Sequence, residues 1–215
     1  MDPFLKKVWD LIGYDQRKEW DRIAFSFLRK EKKVLDVGCG EGRFIAQDPK
    51  KITGVDLNEA SLKKCRKKKY RVVKADVRKL PFKNQSFAGV HCSHVIEHFD
   101  PGDAHQLLSE LDRVLAPGGI LVIRTPLLWS RFYADLSHVK PYPPEAILSY
   151  LRPSRQRTFK QISIDYQLKY FKWRYQSLDL RLKPLNAFFF ILSRWGFPWL
   201  KRNGYLMVLK KGPRS

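Results

Sequence analysis

Val34-Leu35-Asp36-Val37-Gly38-Cys39-Gly40-Glu41-Gly42-Arg43-Phe44 is the stretch on which the fold turns. Three apolar residues around one acid read as a buried strand, and the strand runs straight into three alternating glycines. Glycine permits a tight turn and a close backbone approach to a ligand. A helix starting near Gly42 would aim free N–H groups at that ligand. A dinucleotide-binding turn needs G-x-G-x-x-G. Counted from Gly38, its last glycine would fall at position 43, which is Arg43. The spacing is therefore G-x-G-x-G, and a plain tight turn between strand and helix would also satisfy it.

Working outward, Ile52 to Val55 reads as a second strand ending at Asp56. Asn58 then caps a helix over residues 59–69. Arg71 to Ala75 is a third strand ending at Asp76, and Ser86 to Cys92 a fourth. Asp100-Pro101 opens a helix whose Leu107, Leu108, Leu111, Val114 and Leu115 share one face. Gly118-Gly119 is expected to end it, with a fifth strand over Ile120 to Ile123. Strands alternating with helices imply a parallel sheet with right-handed crossovers. Ligands of such sheets bind beyond the carboxyl ends of the strands. Asp36, Gly38, Asp56, Asp76 and the Cys92–His98 segment all fall at those ends. Asp56 is placed to accept from two vicinal ribose hydroxyls and Asp76 from an adenine amino group. Together they describe an adenosine without phosphates. Each acid taken singly also reads as a helix cap or a surface charge.

Residues 34–44, TGVDLN (53–58), KADVRKLPFKNQSFAGVHCSHVIEHF (74–99) and LDRVLAPGGILVIRTP (111–126) resemble the successive motifs of class I S-adenosylmethionine-dependent methyltransferases, ubiquinone-type (type 11). The resemblance implies an α/β, Rossmann-like, doubly wound seven-stranded sheet of order 3-2-1-4-5-7-6, with an antiparallel last strand and helices on both faces. It implies a single domain over 1–215: a helical cap (1–32), a cofactor-binding core (33–126) and an acceptor-side segment with the last strands (127–215). The final strand is expected over Gly204 to Lys210. The cofactor would be S-adenosylmethionine and the product S-adenosylhomocysteine. Gly38, Gly40 and Gly42 would hold the methionine part, with Asp36 orienting it. Asp56 would bind the ribose and Leu57 lie on the adenine. Asp76 and Val77 would meet the adenine edge, and backbone near Cys92 and Ser93 the amino group.

A hydroxyl acceptor needs its proton removed, and histidine is the usual base near neutral pH. His91, His94, Glu97 and His98 follow the fourth strand, and His138 follows the fifth; both segments leave the same sheet edge. His105 reads as an ordinary solvent-facing histidine. Two readings stay open. In one, His98 or His138 is a general base. In the other, His94, Glu97, His98 and His138 bind a divalent metal. The second resembles the metal set of small-RNA 2′-O-methyltransferases, except that His94 stands where those have Glu. Glu97 and His98 would otherwise simply start the next helical segment.

The 215 residues carry 42 Lys+Arg against 21 Asp+Glu, a formal charge of +21. That excess attracts RNA or an anionic membrane surface, or is a diffuse solvated face. At 44% hydrophobic and 29% charged, the composition excludes a disordered chain. Cys39, Cys65 and Cys92 make no disulfide framework, which fits a reducing compartment. The first fifteen residues contain acids and no apolar core, unlike a secretory signal. Ala187 to Leu200 is interrupted by Arg194, Gly196 and Pro198 and is too short to span a bilayer. A cytoplasmic protein, peripheral to membrane at most, is expected. Phe159, Tyr166, Tyr170, Phe171, Trp173 and Tyr175 interleave with Lys and Arg. This suits nucleic acid, but core packing of a strand pair accounts for most of them. Phe188–Leu192 and Trp195–Trp199 add an apolar stretch that also suits a membrane interface.

The expected function is O-methyl transfer to a small, glycan or lipid-linked acceptor. The alternatives are an RNA methyltransferase, metal-assisted at a 2′-hydroxyl, and a catalytically silent binder on the same fold. Base N-methylation is disfavoured, because Cys92-Ser93-His94-Val95 stands where an Asn/Asp-Pro-Pro-aromatic motif would lie.

Overall fold

The computed structural model describes residues 16–129, 131–154, 158–175 and 202–213. Helix α1 (Gln16–Leu28) precedes strand β1 (Val34–Val37). Then come β2 (Ile52–Asp56), α2 (Glu59–Lys67), β3 (Val72–Lys74), β4 (Phe87–Ser93), α3 (Pro101–Val114) and β5 (Leu115–Pro126). Helix α4 (Pro144–Leu151) and strands β6 (Gln167–Tyr175) and β7 (Arg202–Lys210) complete the described elements. The seven strands form one sheet of order β3-β2-β1-β4-β5-β7-β6, as expected. β1 to β5 run parallel, and β7 is antiparallel to both β5 and β6.

Two apolar layers cover the sheet. On one face Leu107, Leu111 and Val114 of α3 pack with Ile147 and Leu151 of α4 against Leu35, Val37, Leu121 and Ile123. On the other, Trp20, Ala24 and Leu28 of α1 pack with Leu62 of α2 against Val34, Val122, Leu206 and Val208. All four residues of β1 are buried, which requires helices above and below it. The aromatics of β6 are partly buried, and Phe171 and Trp173 pack on the first of these layers.

The caps follow the sequence. Asn58 accepts from the Ser61 amide at 3.1 Å, and Asp100 from the Asp103 amide at 2.9 Å. Three local expectations are corrected. No α-helix follows the glycine turn; a single 3-10 turn, Ile45–Gln47, fills the short span before β2. α3 ends at Val114 rather than at Gly118-Gly119, and β5 begins at Leu115, which pairs with Phe87. Pro117 explains this, since the residue before a proline is driven toward extended backbone. The stretches Phe188–Leu192, Trp195–Trp199 and Ala187–Leu200 lie outside the described residues. Among those described, no helix is long and apolar enough to cross a membrane.

Register sets the site. Val37 aligns with Val55 and with Cys92, and Cys92 with Ile123. Gly38, Asp56, Ser93 and Arg124 each come one residue later, so they share the carboxyl edge of the sheet.

Candidate functional site

The glycine turn is held from beneath. The amides of Gly38 and Cys39 both donate to the Val55 carbonyl, at 2.9 and 3.0 Å. Gly38 and Gly40 have φ of +69° and +49°, backbone that side chains resist. A Cβ on Gly38 would lie 2.3 Å from Val95, whereas one on Gly40 would meet nothing within 4 Å. The turn is thus tight on its core side at Gly38 and open at Gly40.

Asp56 borders that opening. One carboxylate oxygen accepts from the Gly40 amide and the other from the Asn58 amide, both at 2.8 Å. An ionised carboxylate offers about four lone-pair directions, so each oxygen retains one for a ligand hydroxyl. Leu57 beside it is 56% exposed, an apolar surface offered to solvent. Asp56, Leu57 and Gly40 together match what a ribose and its attached base require.

The remaining cofactor candidates sit differently. The Asp36 carboxylate is buried and takes its hydrogen bond from His91 Nδ1 at 2.7 Å. Burial pushes its pKa above the usual carboxylate value, against the pull of His91. The acid is part of the floor, where its bond is to His91. Asp76 is bound at both oxygens by the Arg78 guanidinium, which also reaches Asp103 at 2.6 Å. Those Arg78 bonds hold Asp76 below its ordinary pKa. An adenine amino group would have to share the Asp76 carboxylate with Arg78. The Val77 and Cys92 side chains are in the core, leaving only their backbone for a ligand; Ser93 is half-buried at the tip of β4. Gly42 closes the turn, its amide donating to the Cys39 carbonyl at 2.9 Å.

On the acceptor side, Glu97, His98 and His138 come together. One ligand-type atom from each lies within 4.8 Å of the others. Glu97 is fully buried, accepting from His94 Nδ1 and from the Thr125 hydroxyl, each at 3.0 Å. Burial opposes its ionisation, but the His94 bond prevails and holds its pKa below the usual value. The His98 Nδ1–H donates to the Ser137 carbonyl at 3.0 Å, and the His138 Nδ1–H to the Phe132 carbonyl at 2.7 Å. A carbonyl only accepts, so the neutral form of either ring has its lone pair at Nε2; that of His138 lies 4.0 Å from an Asp135 carboxylate oxygen. The ring centroids are 5.0 Å apart. The amides of Val139 and Lys140 donate to the Glu97 carbonyl, tying the post-β5 segment to the post-β4 turn.

His94 is not the fourth member of this group. It adopts φ +57°, and its Nδ1 turns to Glu97. Burial lowers its pKa, and the charges of Arg124 and Arg174 add to that effect. His91 is likewise absent, being an internal residue of β4 stacked on Phe44 at 3.7 Å. His105 is not simply solvent-facing: its Nε2 meets the Lys160 carbonyl at 2.8 Å and its ring stacks on Phe159. Sequence reading missed Thr125, Arg78 and the pairing of Asp36 with His91. Thr125 alone had a local signal, lying at the tip of β5 beside the exit of β4.

A cavity of about 440 Å³ opens between α3 and α4, lined chiefly by Ile96, Ala104, Leu108, Tyr142, Ile147 and Phe159. Ile96 connects it to the Glu97 turn.

Residues 35–123 match the family model described as a methyltransferase domain. The phthiotriol/phenolphthiotriol dimycocerosates methyltransferase of Mycobacterium leprae (strain TN) is 37% identical over 129 residues, covering 54% of this chain and 42% of that protein. The probable tRNA methyltransferase 9B of Mus musculus is 34% identical over 113 residues, 50% of this chain and 25% of that one. The chain thus spans less than half the length of these curated relatives. The crystal structure of a SAM dependent methyltransferase from Archaeoglobus fulgidus aligns with TM-score 0.64 and 25% identity, over 98% of this chain and 100% of that one.

Proposed function

We propose, on the premise that residues 35–123 are a class I methyltransferase domain of the S-adenosylmethionine-dependent family, that the protein transfers a methyl group to oxygen on a small, glycan or lipid-linked acceptor. S-adenosylmethionine is the cofactor of this domain and, when bound, supplies a methyl already activated by its sulfonium. The open backbone at Gly40, the Asp56 carboxylate and the exposed Leu57 fit its nucleoside part. The observation that carries oxygen as the acceptor atom is the histidine pair: His98 and His138, each with Nδ1 fixed on a carbonyl, so that Nε2 is the atom left to take a proton, with that of His138 facing the Asp135 carboxylate at 4.0 Å.

In this reading Nε2 of His98 or His138 takes the acceptor hydroxyl's proton. The buried Glu97 carboxylate, 4.8 Å or less from both, stabilises the imidazolium that results. Holding the acceptor in line contributes on the order of 7–11 kcal/mol of barrier lowering. The apolar cavity beside Ile96 suits the hydrocarbon part of a lipid-linked acceptor.

The test supplies cofactor labelled in its methyl group to extracted lipid, glycan and RNA pools. Label in a lipid or glycan hydroxyl is expected. Replacing His98 or His138 by Ala should lower kcat by about 10²–10⁴-fold, with S-adenosylhomocysteine affinity unchanged in calorimetry. Label appearing only in RNA would overturn the acceptor class, and label in no pool would favour a silent binder. Activity lost on exhaustive chelation and restored by a divalent cation would replace the base with a metal held by Glu97, His98 and His138.

A further inference from the structure

Guanidinium groups gather where the sheet edge meets α1. Arg124 of β5 lies opposite Leu206 of β7, which lies opposite Lys172 of β6. Two residues on, Pro126, Gly204 and Arg174 form the next such row. Cross-strand neighbours, and residues two apart along a strand, share a face. Arg124, Lys172 and Arg174 therefore project to the α1 side, where Leu206 packs among Trp20 and Leu28.

The charges there do not balance through direct contacts. Lys172 has Glu19, at 3.4 Å. Arg124 is only 5% exposed and has one acid, Asp21, at 3.2 Å from Nη1. Asp21 is itself 1% exposed and is shared with Arg43, whose Nε lies 2.6 Å away. Among the described residues, Arg174 bonds the Asn203 side chain and carbonyl, both at 2.9 Å, and no carboxylate bridges to it. The nearby Asp36 and Glu97 are engaged by His91, and by His94 and Thr125. Of these three guanidiniums, two share one carboxylate, and the third contacts none among the described residues. The Nε of Arg124 is buried and has no partner among the described residues. A buried, charged donor left unpaired is costly, so it calls for a water, an ion or a ligand to complete it. Burial first, with the like charges of Arg43 and Arg174, brings the Arg124 guanidinium down to about 10 despite Asp21.

Gly204 has no side chain, and a Cβ there would lie 3.0 Å from both Nε and Nη2 of Arg174, so the glycine is what lets this guanidinium lie against the sheet. Arg124 is paired with Ser93, and its carbonyl accepts from the His94 amide at 2.9 Å. The cluster therefore adjoins the turn that carries Glu97 and His98.

We propose that Arg124 and Arg174, with Arg43 at their margin, bind an oxyanion, a phosphate or carboxylate borne by the methyl acceptor. This rests on the methyltransferase reading and narrows its substrate to an acidic acceptor. Planar guanidinium forks match the paired oxygens of both groups. The acceptor is the source rather than the cofactor because of position. In the order β2-β1-β4-β5-β7-β6, Arg174 lies four strands beyond the glycine turn and five beyond Asp56, although Arg43 directly follows that turn. At about 4.8 Å per strand, that is roughly 19 and 24 Å along the crevice.

The experiment titrates inorganic phosphate into the full chain in low-salt buffer by calorimetry, with and without saturating S-adenosylhomocysteine. Saturable binding is expected, unaffected by S-adenosylhomocysteine. Arg174→Gln should weaken it at least about tenfold, while Lys63→Gln, which removes an exposed charge on α2, leaves it unchanged. Arg174→Lys keeps the charge without the fork and should fall between. It serves in place of Arg174→Gln if circular dichroism shows that variant unfolded. Absent phosphate binding overturns the proposal. Equal weakening by the Lys63 variant overturns it in favour of diffuse charge. Displacement of phosphate by S-adenosylhomocysteine overturns it in favour of the cofactor's own carboxylate. The same titrations report S-adenosylhomocysteine binding directly, so a failure of the cofactor reading is seen separately.

Discussion

An alanine at Gly40 would meet no atom within 4 Å, whereas at Gly38 it would be driven into Val95 at 2.3 Å. Both positions have positive φ, which costs a side chain about 1–2 kcal/mol. Gly40→Ala should therefore lose little more than that in a thermal melt, yet weaken S-adenosylhomocysteine binding at least about tenfold in calorimetry by filling the opening. Gly38→Ala should lose stability and binding together. Unchanged affinity in the Gly40 variant would mean that the nucleoside lies elsewhere. At this scale the sequence reveals residues whose partners are close along the chain. Asn58 and Asp100 are legible as caps because they bond three residues ahead. Asp36 is legible as an acid at a strand tip, but its bond to His91 crosses 55 positions, and no local pattern announces it. Arg78 lies only two residues from Asp76, yet a surface charge and a clamp look the same until the side chain is placed.

Besides the Arg78–Asp103 ion pair, helix α3 is fastened to the loop before β4 through a pair of its own, Glu110–Arg113. Arg113 meets Glu110 at 2.6 Å and also donates to the carbonyls of Leu80 and Phe82. Glu110 in turn accepts from the Leu80 amide at 2.7 Å. The Arg113 bond holds the Glu110 carboxyl below its ordinary 4.5, despite partial burial. A depressed pKa in the folded state means that the unfolded chain binds the proton more readily. The clamp's stabilisation is then present above about pH 4.5 and lost as pH falls through the lower, folded value. Glu110→Gln should lower the melting temperature at pH 7, with the gap to the parent protein closing toward pH 3. A gap of constant size would mean that the carboxylate's charge is irrelevant. The elements themselves were largely readable, because buried parallel strands are short apolar runs and α3 has a regular apolar face. Gly118-Gly119 resembles a helix stop, but pairing of Leu115 with Phe87 and the bias imposed by Pro117 end α3 before it. The meeting of His98 with His138 was suggested by their common sheet edge. The exclusion of His94 was not, since it depends on a left-handed backbone at that residue.

Over the whole molecule, the formal charge of +21 supplies a long-range attraction to polyanions that is separate from any built site. Binding to an arbitrary RNA should collapse with salt: a complex of 6–10 phosphate contacts loses about 10³–10⁵-fold between 50 and 200 mM. Filter binding across that range checks it, and a flat slope would mean that few phosphates are contacted and would count against RNA as a partner. The order of the strands has a different consequence. β7 is inserted between β5 and β6, with Gly204 returning to pair Pro126 across a loop of about 80 residues. During synthesis the first five strands leave the ribosome together, while the outer edge of β5 stays bare until the chain has been translated through Lys210. A ribosome stalled before that codon would display a nascent domain with an unpaired, mostly apolar border, which is a substrate for chaperones and an invitation to aggregate.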